Sequence, residues 1–260
     1  MSNLSSILNQ KKVFLPFLTC GDPDCETTAA NILALAESGA DAVILGIPFS
    51  DPTAEGSLIQ CANIRALAGG ATTDRIFKTA EEIRNEISIP LIFMTYANVV
   101  FSYGMERFCK RCESLGIEGL IIPDVPFEEK EEFDVVCKSY QMDLISMIAP
   151  TSASRISKIA SEANGFVFAV SGLGVSDEQS KMQATIEQTV SEIKAHTNIP
   201  CIVGFGIQTP AQAAYMTGFA DGVIADTAFT EIVAKYGKDS TPYVKEFAHS
   251  MIAAIQNTIE

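Results

Sequence analysis

One unit recurs along the chain: an amphipathic stretch, a turn of small residues, then a short apolar run rich in Val and Ile. Residues 38–46 (SGADAVILG), 115–124 (LGIEGLIIPD), 163–171 (ANGFVFAVS) and 218–226 (GFADGVIAD) are four copies of it. Gly39, Gly116 and Gly218 stand where a helix C-cap calls for positive φ, which glycine adopts without a Cβ clash. Two further apolar runs open on Ile-Pro, at Ile89-Pro90 and Ile199-Pro200, and residues 14–21 (FLPFLTCG) and 143–150 (DLISMIAP) add two more. About eight buried strands alternating with helices predict a (β/α)₈ barrel. The competing arrangement, a doubly wound open sheet, needs a glycine-rich turn after the first strand. Cys20-Gly21-Asp22-Pro23 does not have the G-x-G-x-x-G spacing.

The length of 260 residues suits one barrel domain spanning 1–260. No apolar run approaches the ~18 residues of a membrane span, and the first twelve residues, MSNLSSILNQKK, lack the layout of a signal peptide, so the expected compartment is the cytoplasm. A net charge of -14 excludes an electrostatic grip on nucleic acid, which needs clustered Lys and Arg. Seven cysteines, an odd number lying in apolar segments, read as reduced core thiols. Cys109 and Cys112 form a C-x-x-C, yet with no second pair and no nearby His they do not make a zinc site. His196 and His249 lie in polar helical stretches and read as surface residues. No metal site is evident.

Chemistry in a parallel α/β protein gathers beyond the C-terminal ends of the strands. Residues 41–60 (DAVILGIPFSDPTAEGSLIQ) pass from a buried strand into a loop punctuated by Pro48, Pro52 and Gly56, and that loop carries two carboxylates, Asp51 and Glu55. A second mouth loop, residues 172–183, is polar and has Gly172 and Gly174 as hinge candidates for a lid.

The motifs FLPFLTCGDP (14–23), GIPFSDP (46–52), YAN (96–98), PDVP (123–126) and GFGI (204–207) resemble those of the tryptophan synthase α subunit, in that family's order and over nearly the whole chain. The resemblance implies a (β/α)₈ lyase that cleaves indole-3-glycerol phosphate to indole and glyceraldehyde 3-phosphate by a retro-aldol step. It implies no cofactor on this subunit and a pyridoxal-phosphate-dependent β subunit as partner. Pro48, Asp51 and Pro52 then fall in the partner-facing loop, with Asn98 and Asp124 near the mouth. Phe17, Ile59 and Ile148 match apolar positions lining the indole pocket.

Against that pattern several site positions differ. The strand-two glutamate that shuttles protons in the family falls on Ile44, and the loop aspartate that holds the indole nitrogen falls on Glu55. A strand-six tyrosine becomes Phe168, and a lid threonine becomes Ser176. The phosphate cradle keeps Gly206 and has Thr227 in place of serine, but Asp177 and Asp226 replace two glycines. A carboxylate about 4 Å from a phosphate charge costs ~4 kcal/mol at an effective dielectric near 20. Alternatively, Asp226 caps the helix it begins. Three functions follow as expectations. One is the family's lyase reaction run by Glu55 alone. Another is a catalytically inactive subunit that activates a β subunit. The last is a repurposed or redesigned pocket in which Asp226, its basicity raised by burial, takes a proton from a small aromatic substrate stacked near Phe168 or Phe205, as in a Kemp elimination.

Overall fold

The computed structural model describes residues 4–170, 179–204 and 206–257. Nine parallel strands lie at its centre: β1 (Val13–Thr19), β2 (Val43–Gly46), β3 (Leu91–Met94), β4 (Ile117–Ile121), β5 (Asp143–Leu144), β6 (Ser146–Ile148), β7 (Val167–Val170), β8 (Cys201–Gly204) and β9 (Gly222–Ala225). Their order around the sheet is β5-β4-β3-β2-β1-β9-β8-β7-β6. The two ends of that order are consecutive in sequence. β5 and β6 are halves of one stave separated by Ile145, whose N–H donates to Leu120 O at 2.9 Å. The sheet is therefore a nearly closed barrel of eight staves with helices outside, as the repeating unit predicts, and the open-sheet alternative falls.

Most strand residues are buried on both faces, so apart from Thr19, Glu118, Asp143 and Ser146 the strand sequences carry no polar side chain and side-chain parity separates inside from outside. Leu15, Phe17, Ile44, Ile92, Met94, Ile121, Phe168, Ile202 and Ile224 form the inner core. Their neighbours in sequence, among them Phe14, Val43, Phe93, Leu120, Val167, Val203 and Val223, pack outward against the helices. Register ties the inner residues into layers: Phe17 stands beside Ile44, and Ile44 beside Ile92. A short helix, Leu4–Leu8, puts Leu4 and Leu8 into the same inner cluster and closes its N-terminal end.

Two of the three predicted glycine caps have positive φ, +94° at Gly39 and +62° at Gly116. Gly218 does not. Its φ of -59° is ordinary helical backbone, and a Cβ there would come 3.0 Å from Tyr215 O, so close approach rather than handedness distinguishes that position. Cys109 and Cys112 are buried on the helix Met105–Ser114, while His196 and His249 are exposed, as expected. Five of the seven thiols are buried, and Cys61 is exposed. No described helix is long and apolar enough to cross a membrane.

Candidate active site

The loop after β2 is held from three sides. Ile47 N–H still donates to Met94 O at 2.9 Å; Pro48 has no N–H to continue the ladder. Phe49 N–H then donates to Asn63 Oδ1 at 2.8 Å, and Ala54 N–H donates to Tyr96 Oη at 3.0 Å. Turns between Thr53 and Asp51 and between Glu55 and Pro52 fold the segment back on itself. The consequence is that Glu55 faces the barrel mouth instead of solvent. Its Oε2 accepts from Asn63 Nδ2 at 3.1 Å. Asn63 is buried on the helix Ser57–Ala68, and Arg65 anchors that helix with a bidentate pair to buried Asp22, at 2.9 and 2.6 Å.

Asp226 arrives from the opposite side, directly after β9. It is the N-cap of the helix Thr227–Tyr236. Its Oδ1 accepts from Thr227 N–H at 2.6 Å and from the Thr227 hydroxyl at 3.0 Å. A helix N-terminus offers unpaired N–H groups and a partial positive charge; here the chain's own carboxylate takes up that offer. Only 5% of Asp226 is exposed.

Between these two carboxylates lies a cavity whose remaining walls are Phe17, Ile44, Ile59, Met94, Phe168 and Ile224. Among the described lining residues there is no Lys or Arg. Its volume is about 10 Å³, room for about one water molecule. Burial in this apolar site pushes the Glu55 carboxyl up to about 7; the bond from Asn63 opposes the rise and the charge of Asp226 adds to it. Burial likewise raises Asp226, against the bonds from Thr227, and raises Tyr96, with Glu55 adding to it. A carboxyl that titrates near 7 exists in both protonation states at neutral pH, which is the condition for giving and taking protons in one cycle.

Six residues singled out from sequence thus meet at one cavity: Phe17, Ile44, Glu55, Ile59, Phe168 and Asp226. Thr227 touches it through Asp226. Gly206 has φ +77° and no atom within 4 Å of where a Cβ would stand. Ile148 is a correction: it points outward into the helical layer, because its parity on β6 is opposite to that of Met147. Pro48 and Pro52 are buried by the chain itself, whereas Asp51, Asn98 and Asp124 are exposed. Asp51 accepts from the Ser50 hydroxyl at 2.5 Å, and Asp124 accepts from Ala97 N–H at 3.0 Å. Gly172, Gly174, Ser176, Asp177 and Phe205 lie outside the described residues. Sequence reasoning missed Asn63, Tyr96, Met94 and Ile224 as parts of the site. Spacing carried a signal for one of them: Ile224 precedes Asp226 by two residues and so shares its side of the strand.

The model of the tryptophan synthase alpha chain family matches residues 4–258. The chain belongs to that family. The tryptophan synthase alpha chain of Lacticaseibacillus casei is 44% identical over 255 residues, covering 98% of this chain and 96% of that one. The corresponding chain of Lactiplantibacillus plantarum is 40% identical over 256 residues, covering 98% and 97%. Among solved structures, the tryptophan synthase α subunit of Legionella pneumophila superposes with a TM-score of 0.89 at 34% identity, covering 99% of each chain. The family is one of lyases, and the Legionella pneumophila structure shares the barrel described above.

Proposed function

We propose that this member of the tryptophan synthase alpha chain family carries out proton transfer through Glu55 on a compact aromatic substrate without a phosphate group. The observation that carries the reading is the Asp226 cap. A carboxylate whose Oδ1 already takes the Thr227 N–H at 2.6 Å fills the helix terminus that an anionic substrate group needs, and like charge repels the anion. Ile44 has no proton to give, which leaves Glu55 and Asp226 as the ionisable groups among the described lining residues. Of the two, Glu55 is the better acid–base. It has one side-chain bond, to Asn63, and it titrates near neutrality. Asp226 is tied at Oδ1 by two donors, so the base assigned to it from sequence passes to Glu55, and its charge helps keep Glu55 protonated.

A second reading is favoured by the cavity of about 10 Å³, far smaller than a drug-sized ligand site. In it the chain does no chemistry and serves as the α-type partner of a β subunit, the family's usual companion, docking through the loop that exposes Asp51. One experiment separates these. Purified protein is assayed for indole release from indole-3-glycerol phosphate, with and without excess β subunit, alongside Ile44→Glu, and is screened against aromatic carbon acids. Turnover of a carbon acid that disappears in Glu55→Gln supports the proton-transfer reading. Stimulation of the β reaction without turnover supports the partner reading. Robust indole release by the unmodified chain overturns both.

A further inference from the structure

A second, larger cavity opens through the barrel wall where the fifth stave breaks. β4 pairs with β5 only as far as Leu120 beside Leu144, and β6 pairs with β7 but not with β4. Above Leu120, therefore, the C-terminal end of β4 has no partner on this side, and the two halves of the wall separate. The cleft between them has a volume of about 230 Å³. An apolar cavity of ~150 Å³ is enough to take up benzene. Its walls come from both layers of the fold: Ile145, Met147 and Val170 from the inner core and its edge, and Ile122, Leu144 and Ile159 from the outer.

The polar part of the lining has one sign. Lys130 and Arg155 line the cleft, and among the described residues no Asp or Glu does. Each cation belongs to an ion pair, Lys130 with Glu162 at 3.3 Å and Arg155 with Glu128 at 2.9 Å. In the first pair the asymmetry is marked: the Lys130 side chain is 16% exposed and that of Glu162 is 50% exposed. The lysine thus reaches inward over the Phe127 ring, 4.3 Å from its centroid, and leaves its acidic partner at the surface. Ser146 and Ser152 add hydroxyls to the same lining. Apolar walls carrying two cations, with no carboxylate among the described lining residues, complement a flat ring bearing a negative charge.

We propose that this wall cleft is a binding site for a small aromatic anion, one fused ring system with a single carboxylate, separate from the Glu55–Asp226 cavity. The site stands independently of the proton-transfer reading, because among the described residues it shares no lining residue with that cavity.

The test uses the full chain and 2-naphthoate as probe, with 2-naphthol as its uncharged counterpart. The protein contains no tryptophan, so naphthyl emission is read without an indole background. Saturable binding of one 2-naphthoate per chain is expected. Ala149→Phe, which fills the cleft, weakens it tenfold or more, and Ser146→Leu, a smaller intrusion that guards against a folding defect in the first variant, weakens it severalfold. Lys130→Gln weakens 2-naphthoate about tenfold and leaves 2-naphthol within a factor of two. Ile44→Phe, which fills the central cavity, leaves both probes unchanged. No saturable binding, or binding lost in Ile44→Phe but kept in both cleft-filling variants, overturns the proposal. Equal weakening of both probes by Lys130→Gln overturns the anion preference.

Discussion

The buried carboxyl of Glu55 makes stability depend on pH in a direction opposite to that of an ordinary paired carboxylate, and Glu55→Gln isolates the effect. In the folded chain Glu55 holds its proton up to about 7, against a usual value of 4.5. The folded state therefore binds more protons than the unfolded state between those two values, and unfolding free energy falls as pH rises through that window. Below pH 4.5 both states are protonated and nothing is lost. At ~1.4 kcal/mol per pH unit, the interval from 4.5 to about 7 amounts to ~3 kcal/mol, fully lost above the folded value. Glutamine has the same shape, can still accept from Asn63, and never ionises. The variant should equal wild type near pH 4.5 and exceed it by ~3 kcal/mol at pH 8, a rise in Tm of about 6–12 °C for a chain of this size. Urea unfolding of both proteins at matched pH values measures the difference and cancels the other titrating groups they share. A constant offset from pH 5 to 8, or a variant less stable than wild type at pH 8, would refute the assignment of a buried, proton-retaining Glu55.

Three further outcomes follow from the same geometry. Asp226→Gly removes the side-chain cap on Thr227 at a cost of only about a few tenths of a kcal/mol, because glycine is itself tolerated at an N-cap, and it frees the helix terminus for an anion; excess inorganic phosphate should raise the Tm of the variant and not that of wild type in a thermal-shift assay. Arg65→Ala strands the buried Asp22 carboxylate, now held at 2.9 and 2.6 Å, and should destabilise by ~3 kcal/mol in denaturant unfolding, with Arg65→Lys recovering only part because an ammonium cannot reproduce the bidentate pair. A Cβ at Gly222 would stand 2.5 Å from the backbone oxygen of Val13, whereas one at Gly56 meets nothing within 4 Å. Gly222→Ala should therefore lower stability by ~3 kcal/mol or more and Gly56→Ala by less than ~1, a contrast that unfolding curves of the two variants check directly.

The barrel was legible because its evidence is local. Each small-residue turn, each apolar run of four to seven residues and each helix of the repeating unit is written in contiguous sequence, and eight such units have few ways to close. The carboxylates of the site were legible for a related reason: Glu55 and Asp226 lie just past strand ends, where the fold places mouths. What escaped was of two kinds. Asn63 reads as an ordinary polar residue in a helix, and only the folded loop brings its amide to Glu55 and to Phe49 N–H. Ile148 and Met147 are equally apolar neighbours, so no hydropathy argument says which one faces the axis.

By itself, then, the sequence determined the number and order of the staves, the family, and the chemical inventory of the mouth, in which a carboxylate at Glu55 and another at Asp226 flank a strand that carries Ile44. Tertiary structure alone decided which face of each mostly apolar strand turns inward. It also decided that Asp226 spends its charge on the Thr227 cap, and that the fifth stave breaks at Ile145 to leave the wall cleft. The physical reason is that parity, capping geometry and strand register are set by partners distant in the chain. Glu55 and Asp226 acquire their raised affinity for protons only when they are desolvated together.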